Sequence, residues 1–264
     1  MQERHTSREK YFEEQVYTTE KHIVPYLKKY IQLTSDKVVC EIGCGEGGNL
    51  KPFVDIGCKV VGIDIAINKI ENAKIYFENN INNNNLLLIA EDIYKIKPES
   101  LPKFDIVIMR DTIEHIPNQE VFINNLKSFI KPDTLIFIGF PPWRMPFGGH
   151  QQVCKSSFLN MLPYFHILPV FMYVGILKLF GENKLTIKSL LEIKETRISI
   201  KRFKNIVNKS NFKIINESVY LINPNYEVKF KLKVRKLPKV LNIPFFRDFI
   251  STAYYCVLSG QVDK

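Results

Sequence analysis

Lys37-Val38-Val39-Cys40-Glu41-Ile42 runs directly into Gly43-Cys44-Gly45-Glu46-Gly47-Gly48. The first six residues are short, apolar and rich in β-branched side chains, and the glycines break the run into a tight turn. The stretch therefore predicts strand, turn and then helix. Glycines 43, 45 and 48 satisfy G-x-G-x-x-G, a spacing at which absent Cβ atoms let backbone N–H groups approach a ligand at a helix start. The turn is also acidic, with Glu41 in its strand and Glu46 in its loop. Carboxylates there repel a diphosphate, yet suit a ligand carrying an amino group and a positive sulfur.

The same rhythm continues downstream: Lys59–Asp64, a mixed stretch 67–80, Leu86–Ala90, 104–109 (FDIVIM), a helical stretch 119–130 and 134–140 (TLIFIGF). Short apolar runs without period-two alternation, separated by helical segments, predict strands covered on both faces of a parallel sheet. Five βα units thus fall within 37–140, with right-handed crossovers placing helices on both sides. Upstream, in segment 1–36, apolar residues near helical spacing (Phe12, Val16, Ile23, Tyr26, Leu27, Tyr30, Ile31), interrupted by Pro25, predict an N-terminal helix or helix pair. The rhythm stops at Pro141-Pro142. Residues 156–180 are apolar and aromatic, but Pro163 and Pro169 interrupt them. The longest apolar piece, 170–177, is far below the roughly 20 residues that span a bilayer, so segment 141–195 is expected to hold a helical insertion. In segment 196–264, a basic helical stretch 195–209 leads into 212–221 and 226–234, two strands around Asn223-Pro224-Asn225 that form a terminal antiparallel hairpin, followed by an aromatic tail 241–258.

The 264 residues include 45% hydrophobic ones, 12 Gly, 14 Pro and 5 Cys, which excludes collagenous, disordered and disulfide-scaffold classes. Cysteines 40, 44, 58, 154 and 256 form no C-x-x-C pair and follow no secretory leader, so reduced thiols in the cytoplasm are expected. The net charge of +10 fits nucleic acid, anionic lipid, an anionic substrate or compositional drift, and is concentrated between residues 184 and 239.

Glu41-Ile42-Gly43-Cys44-Gly45-Glu46-Gly47, then Gly62-Ile63-Asp64, Glu91-Asp92-Ile93 and Arg110-Asp111-Thr112-Ile113-Glu114-His115-Ile116-Pro117, resembles the motif series of class I S-adenosylmethionine-dependent methyltransferases over about 37–140. The resemblance implies an α/β fold with a doubly wound, Rossmann-like seven-stranded sheet, closed by the antiparallel hairpin and carrying the helical cap as an insertion. It implies S-adenosyl-L-methionine as cofactor. Gly43, Cys44, Gly45 and Gly47 then lie in the loop beside the methionine part, and Glu41 orders that loop. Cys44 reads as a small turn residue rather than a nucleophile. Asp64, with Ile65 after it, matches the acid that accepts both ribose hydroxyls, as a charged two-oxygen acceptor can. Asp92 matches the acid facing the adenine amino group, with Ile93 beside the ring. Arg110 stands where the family contacts the methionine part.

Methyl transfer from a sulfonium requires mainly alignment, and a hydroxyl acceptor also needs a base. His115 lies just past the fourth strand, at the end of the sheet where open α/β folds bind ligands. His150 lies in the loop Phe140-Pro141-Pro142-Trp143-Arg144-Met145-Pro146-Phe147-Gly148-Gly149-His150, where two glycines allow a sharp bend toward the cleft. Trp143 and Arg144 are the candidate substrate contacts; Arg144 can hold an acidic group or stack on an aromatic ring. No clustered ligand spacing argues for a metal ion. The expected reaction is O-methylation of a small-molecule, lipid-linked or glycan-linked acceptor, with a peripheral contact to the inner face of the membrane through the aromatic cap and basic segment. The alternatives are a nucleic-acid methyltransferase and a non-catalytic cofactor-binding protein. Nucleic acid is disfavoured, because Arg110-Asp111-Thr112-Ile113 stands where base methylases carry Asn/Asp-Pro-Pro-aromatic, and Pro141-Pro142-Trp143 follows the fifth strand instead.

Overall fold

The run that opens the glycine turn becomes strand β1 (Val38–Ile42), buried at all five positions. In the computed structural model, which describes residues 8–82 and 85–260, both faces of β1 are covered. Cys40 and Ile42 enter one apolar cluster and Val39 the other. A strand buried on both faces has no reason to alternate apolar with polar residues, which is why the sequence did not. β2 (Lys59–Asp64), β3 (Leu86–Ala90), β4 (Phe104–Arg110) and β5 (Ile130–Phe140) lie parallel to it in the order β3-β2-β1-β4-β5. The order reverses between β1 and β4, and at such a switch point the loops leaving the C-terminal strand ends part to form a crevice.

Three further strands, β6 (Lys213–Ile222), β7 (Arg235–Lys236) and β8 (Ala253–Ser259), extend the order to β5-β8-β6-β7, all in antiparallel pairings. Two expectations are corrected here. The sheet has eight strands rather than seven, the extra one being the two-residue edge strand β7. The second arm of the hairpin is not 226–234: Asn225–Phe230 is helical, and β8, drawn from the aromatic tail, pairs with β6. The alternating residues of 226–234 describe a half-exposed strand, whereas the place between β5 and β6 is covered on both faces. The unbroken apolar run of 253–258 meets that demand, with all six residues buried.

The N-terminal stretch forms Arg8–Thr18, a π turn Thr19–Ile23 and Val24–Leu27. The Val24 N–H reaches back five residues to the Thr19 carbonyl, so the π turn accommodates Pro25, which has no N–H to continue the ladder. Residues 1–7 of the expected N-terminal segment lie outside the described residues. The insertion is helical as expected, with Ser157–Met161, Val170–Leu179 and Lys184–Thr196 sharing a separate apolar cluster that includes Leu159, Tyr173, Leu177 and Leu190. Asn183 caps the last of these helices by accepting the Thr186 N–H at 2.8 Å. The helix ends at Arg197, in the left-handed region, so the basic stretch is broken before Ile200–Lys209 rather than continuous. Thr196 ties the helix to the turn after β4, donating to the Glu114 carbonyl at 2.6 Å.

Candidate active site

The glycine turn is held from two sides. Gly43 and Cys44 donate to the Ile63 carbonyl at 2.7 and 3.1 Å, and Gly45 donates to Asp64 Oδ2 at 2.7 Å, so β2 grips the loop that leaves β1. Behind it, Glu41 is fully buried and accepts from Asn49 Nδ2 at 2.7 Å, while Asn49 Oδ1 accepts from Thr19 and Arg110 at 2.8 and 2.9 Å. Glu41 is thereby bonded to Asn49, the residue that follows the glycine turn. Glu46 is buried too, taken up by Asn72 and Arg8 at 2.9 and 3.3 Å. Gly43 sits at φ +76°, and a Cβ there would meet Thr112 Cγ2 at 2.5 Å. Gly43→Ala is expected to cost about 2 kcal/mol from the left-handed strain alone, a fall in Tm of about 4–8 °C by thermal melt. An unchanged Tm would contradict the observed packing.

Burial pushes the Glu41 carboxyl up to about 8, against the pull of its Asn49 bond and the Arg110 guanidinium. A carboxyl raised from an ordinary 4.5 binds its proton more tightly in the folded chain. Its contribution to stability is therefore complete below about 4.5 and is lost as pH rises through about 8. The Tm of the ligand-free protein should fall over that range, and Glu41→Gln should flatten the fall. Parallel slopes for the two proteins would rule out Glu41 as the cause.

Above the turn, a cavity of about 560 Å³ opens at the C-terminal ends of the strands. Gly43, Asp64, Ile65, Asp92 and Ile93 line it, and so do Lys69, Tyr94, Thr112, His115 and Phe122. The strand order sets its direction: Asp92 follows β3, Asp64 and Gly43 stand at its middle, and His115 follows β4. Asp64 Oδ1 also accepts the Ala66 N–H at 2.8 Å, so its carboxylate is aimed by two backbone donors. Cys44, Gly45 and Gly47 lie behind the wall rather than on it. The Cys44 thiol is buried, and burial raises its pKa well above the ordinary thiol value, as befits a turn residue and not a nucleophile. Arg110 is buried beneath the loop against Asn49, away from the cavity lining.

His115 and His150 come together, their rings edge to face with centroids 5.0 Å apart. His115 also lines an adjoining cavity of about 440 Å³, walled by Glu192, Glu195 and Thr196 of the insertion. Although His115 is solvent-exposed as a residue, the protein packed about its ring lowers its pKa, with Asp111 pulling the other way; a lowered imidazole is neutral near pH 7. Gly148 and Gly149 do not supply the bend expected of them. A Cβ on them would meet the Trp143 carbonyl at 2.2 Å and His166 Cβ at 2.1 Å, so they serve close packing, and His150 itself takes the left-handed conformation at φ +58°. Trp143 is drawn into the same packing, with its carbonyl accepting from His166 Nε2 at 2.7 Å and the Lys194 and Arg197 side chains over its ring. Arg144 faces a separate groove, stacked 4.8 Å from Phe245 and 3.7 Å from Asp248.

A family model described as a methyltransferase domain matches residues 12–156, more than half of the chain. The chain belongs to this methyltransferase family. Its fold and family are those of class I S-adenosylmethionine-dependent methyltransferases, with S-adenosylmethionine as cofactor. Among curated relatives, the ubiquinone biosynthesis O-methyltransferase of Bartonella tribocorum is 33% identical over 126 residues, covering 47% of this chain and 49% of that protein. The enzyme of the same name from Rickettsia typhi is 31% identical over 118 residues, covering 44% and 46%. The chain thus spans about half the length of the curated relatives it matches. Among solved structures, magnesium protoporphyrin IX methyltransferase from Synechocystis PCC 6803 with bound S-adenosylhomocysteine aligns with a TM-score of 0.54 at 15% identity, over 92% of this chain and 83% of that one. Geranyl diphosphate C-methyltransferase from Streptomyces coelicolor A3(2) aligns with a TM-score of 0.53 at 11% identity, over 91% and 80%. These likenesses establish the fold.

The methyltransferase's cavity suits its cofactor. Its volume lies within the roughly 300–1,000 Å³ of small-molecule sites, Asp64 offers a fixed carboxylate, and Gly43 leaves no side chain between the turn and the cavity. The residues that sequence reasoning missed, Lys69, Tyr94, Thr112 and Phe122, belong to helices and turns whose inward faces only the tertiary arrangement defines. Thr112 carries a sequence signal, since it lies in the segment 110–117 that follows β4.

Proposed function

We propose that this protein transfers a methyl group from S-adenosylmethionine to a hydroxyl oxygen of a small, lipid-linked acceptor. When bound, the cofactor supplies an activated methyl group on a positive sulfur. Asp64 takes the ribose hydroxyls, and Asp92 with Ile93 takes the adenine. The observation that carries the oxygen assignment is the His115–His150 pair on the β4 side of the cavity, opposite the Asp92 side. The imidazole of His115, held neutral, can accept a proton as the acceptor oxygen attacks. The curated relatives, named as ubiquinone biosynthesis O-methyltransferases, favour an oxygen acceptor of that lipophilic kind. Methyl transfer from labelled cofactor to phenolic acceptors of increasing tail length tests this reading. Transfer confined to nitrogen or carbon acceptors would overturn it.

The surface of the insertion supports a peripheral membrane contact at the inner face. Helix Val170–Leu179 buries Tyr173 and Leu177 but leaves Phe171 77% and Leu179 81% exposed, and Phe158, Met161 and Leu185 are also exposed on the insertion. Lys155, Lys178, Lys184 and Lys188 are exposed on the same segment. Among the described residues no helix is long and apolar enough to cross a membrane. Apolar side chains beside lysines are the chemistry of binding to an anionic bilayer surface. Flotation with vesicles containing phosphatidylglycerol at low salt should carry the protein upward, and Phe171→Glu with Leu179→Glu should leave it at the bottom. A wild-type protein that does not float removes the membrane contact from the proposal.

A further inference from the structure

Glu114 is a buried carboxylate with no visible reason to be there. It sits in the short turn Ile113–His115, only 3% exposed, and neither of its carboxylate oxygens has a hydrogen-bond partner on another residue. Burying a carboxyl group without partners costs several kcal/mol by ordinary transfer energetics, so such a group calls for an explanation. Burial pushes its pKa well above the ordinary carboxylate range, with Asp111 adding to the rise. One oxygen of Glu114, one ring nitrogen of His115 and one ring nitrogen of His150 all lie within 4.8 Å of one another. No hydrogen bond links the Glu114 carboxylate to either ring.

The geometry points to a divalent transition-metal site made of Glu114, His115 and His150, with its remaining coordination positions open to the acceptor. Nitrogen and oxygen ligands bind zinc-like ions at about 2.0–2.2 Å, so two ligand atoms on one ion are at most about 4.2 Å apart and about 3.4 Å apart in a tetrahedron. From at most 4.8 Å apart, the three groups need to close by up to about 1.4 Å to reach tetrahedral spacing. Glu114 is buried in its turn and His150 is half-buried on the loop after β5, so the closure falls to the His150 side chain. Two imidazoles with one carboxylate select a first-row ion such as Zn²⁺, Co²⁺ or Fe²⁺ over Mg²⁺, which prefers oxygen ligands alone. Glu192 and Glu195 wall the adjoining cavity together with Arg202. Sequence spacing concealed the site because His150 comes from the loop after β5 and the other two from the turn after β4.

This inference rests on the reading of the cleft as the acceptor site, and it changes the part played by the histidines there. An ion held by these three residues would supply Lewis acidity that lowers the pKa of a bound hydroxyl, in place of the histidine base. The acceptor O–H bond then breaks, its proton passes to solvent, and an oxygen lone pair forms the O–CH₃ bond. The electron pair of the CH₃–S bond returns to sulfur, leaving S-adenosylhomocysteine, with no oxidant or reductant consumed.

Titration of the chelator-stripped full chain with Co²⁺ alone, read by its visible ligand-field absorption, tests the site. One Co²⁺ per chain should bind saturably, and His150→Ala and Glu114→Gln should each weaken it by at least about a hundredfold. S-adenosylhomocysteine titration checks that the His150→Ala chain remains folded, with unchanged affinity expected. Absence of a saturable one-to-one spectrum overturns the inference, as does one that survives His150→Ala. If the stripped protein methylates phenols at full rate, the metal site falls and the O-methyltransferase reading stands. If Co²⁺ binds as described but no oxygen acceptor is methylated, the site stands and that reading falls.

Discussion

Replacing Asp64 by Ala is expected to weaken S-adenosylhomocysteine binding by about two to four orders of magnitude. Each Asp64 oxygen already accepts one backbone N–H, from Gly45 at 2.7 Å and from Ala66 at 2.8 Å. A carboxylate has roughly four lone-pair sites, so each oxygen can take one ribose hydroxyl as well. Two bonds to a charged acceptor contribute about 1.5–3 kcal/mol each, about 3–6 kcal/mol together, and 1.4 kcal/mol is tenfold in affinity. The substitution also releases Gly45, which adds to the loss by loosening the turn. Asp64→Asn keeps the shape and one acceptor oxygen, so its loss should be smaller. Isothermal titration reads both; an Asp64→Ala protein within threefold of wild type would remove Asp64 from the site.

The second large effect belongs to His150. His150→Ala should lower kcat by about two to four orders of magnitude, the range for loss of proton handling in the transition state, because His115 loses the ring packed against it and the metal site loses a ligand. Affinity for S-adenosylhomocysteine should be unchanged, since His150 lies against His115 and outside the lining of the cofactor cavity. That split, in kcat and not in cofactor binding, separates a role in chemistry from a role in folding. Full turnover in the variant would mean that neither proton transfer nor metal binding passes through this residue.

The cofactor half was legible in the sequence because its signals are local. Strands buried on both faces read as unbroken apolar runs, and Gly43, Asp64 and Asp92 each stand within a residue or two of a strand end. Their positions in the crevice follow once strand order is set. The acceptor half was legible only in part. His115 and His150 were visible as candidates, but that their rings meet depends on the packing of Gly148 and Gly149 against Trp143 and His166, which no local pattern encodes. The same packing drew Trp143 away from the cavity. A Glu in a turn reads as solvated, whereas Glu114 is buried and its backbone carbonyl is bonded by Thr196 at the end of the Lys184–Thr196 helix. The hairpin error has a related origin. The alternation in 226–234 was a real β signal, but the place beside β5 is covered on both faces and went to the more apolar 253–259.

The central claim is that this cavity holds S-adenosylmethionine with its methyl group directed at the histidine pair. A crystal structure with S-adenosylhomocysteine bound tests it most directly. The account predicts the ribose on Asp64, the adenine against Asp92 and Ile93, and the sulfur facing the His115–His150 pair across open space. A ligand lying elsewhere, or one whose sulfur points away from both histidines, would contradict it.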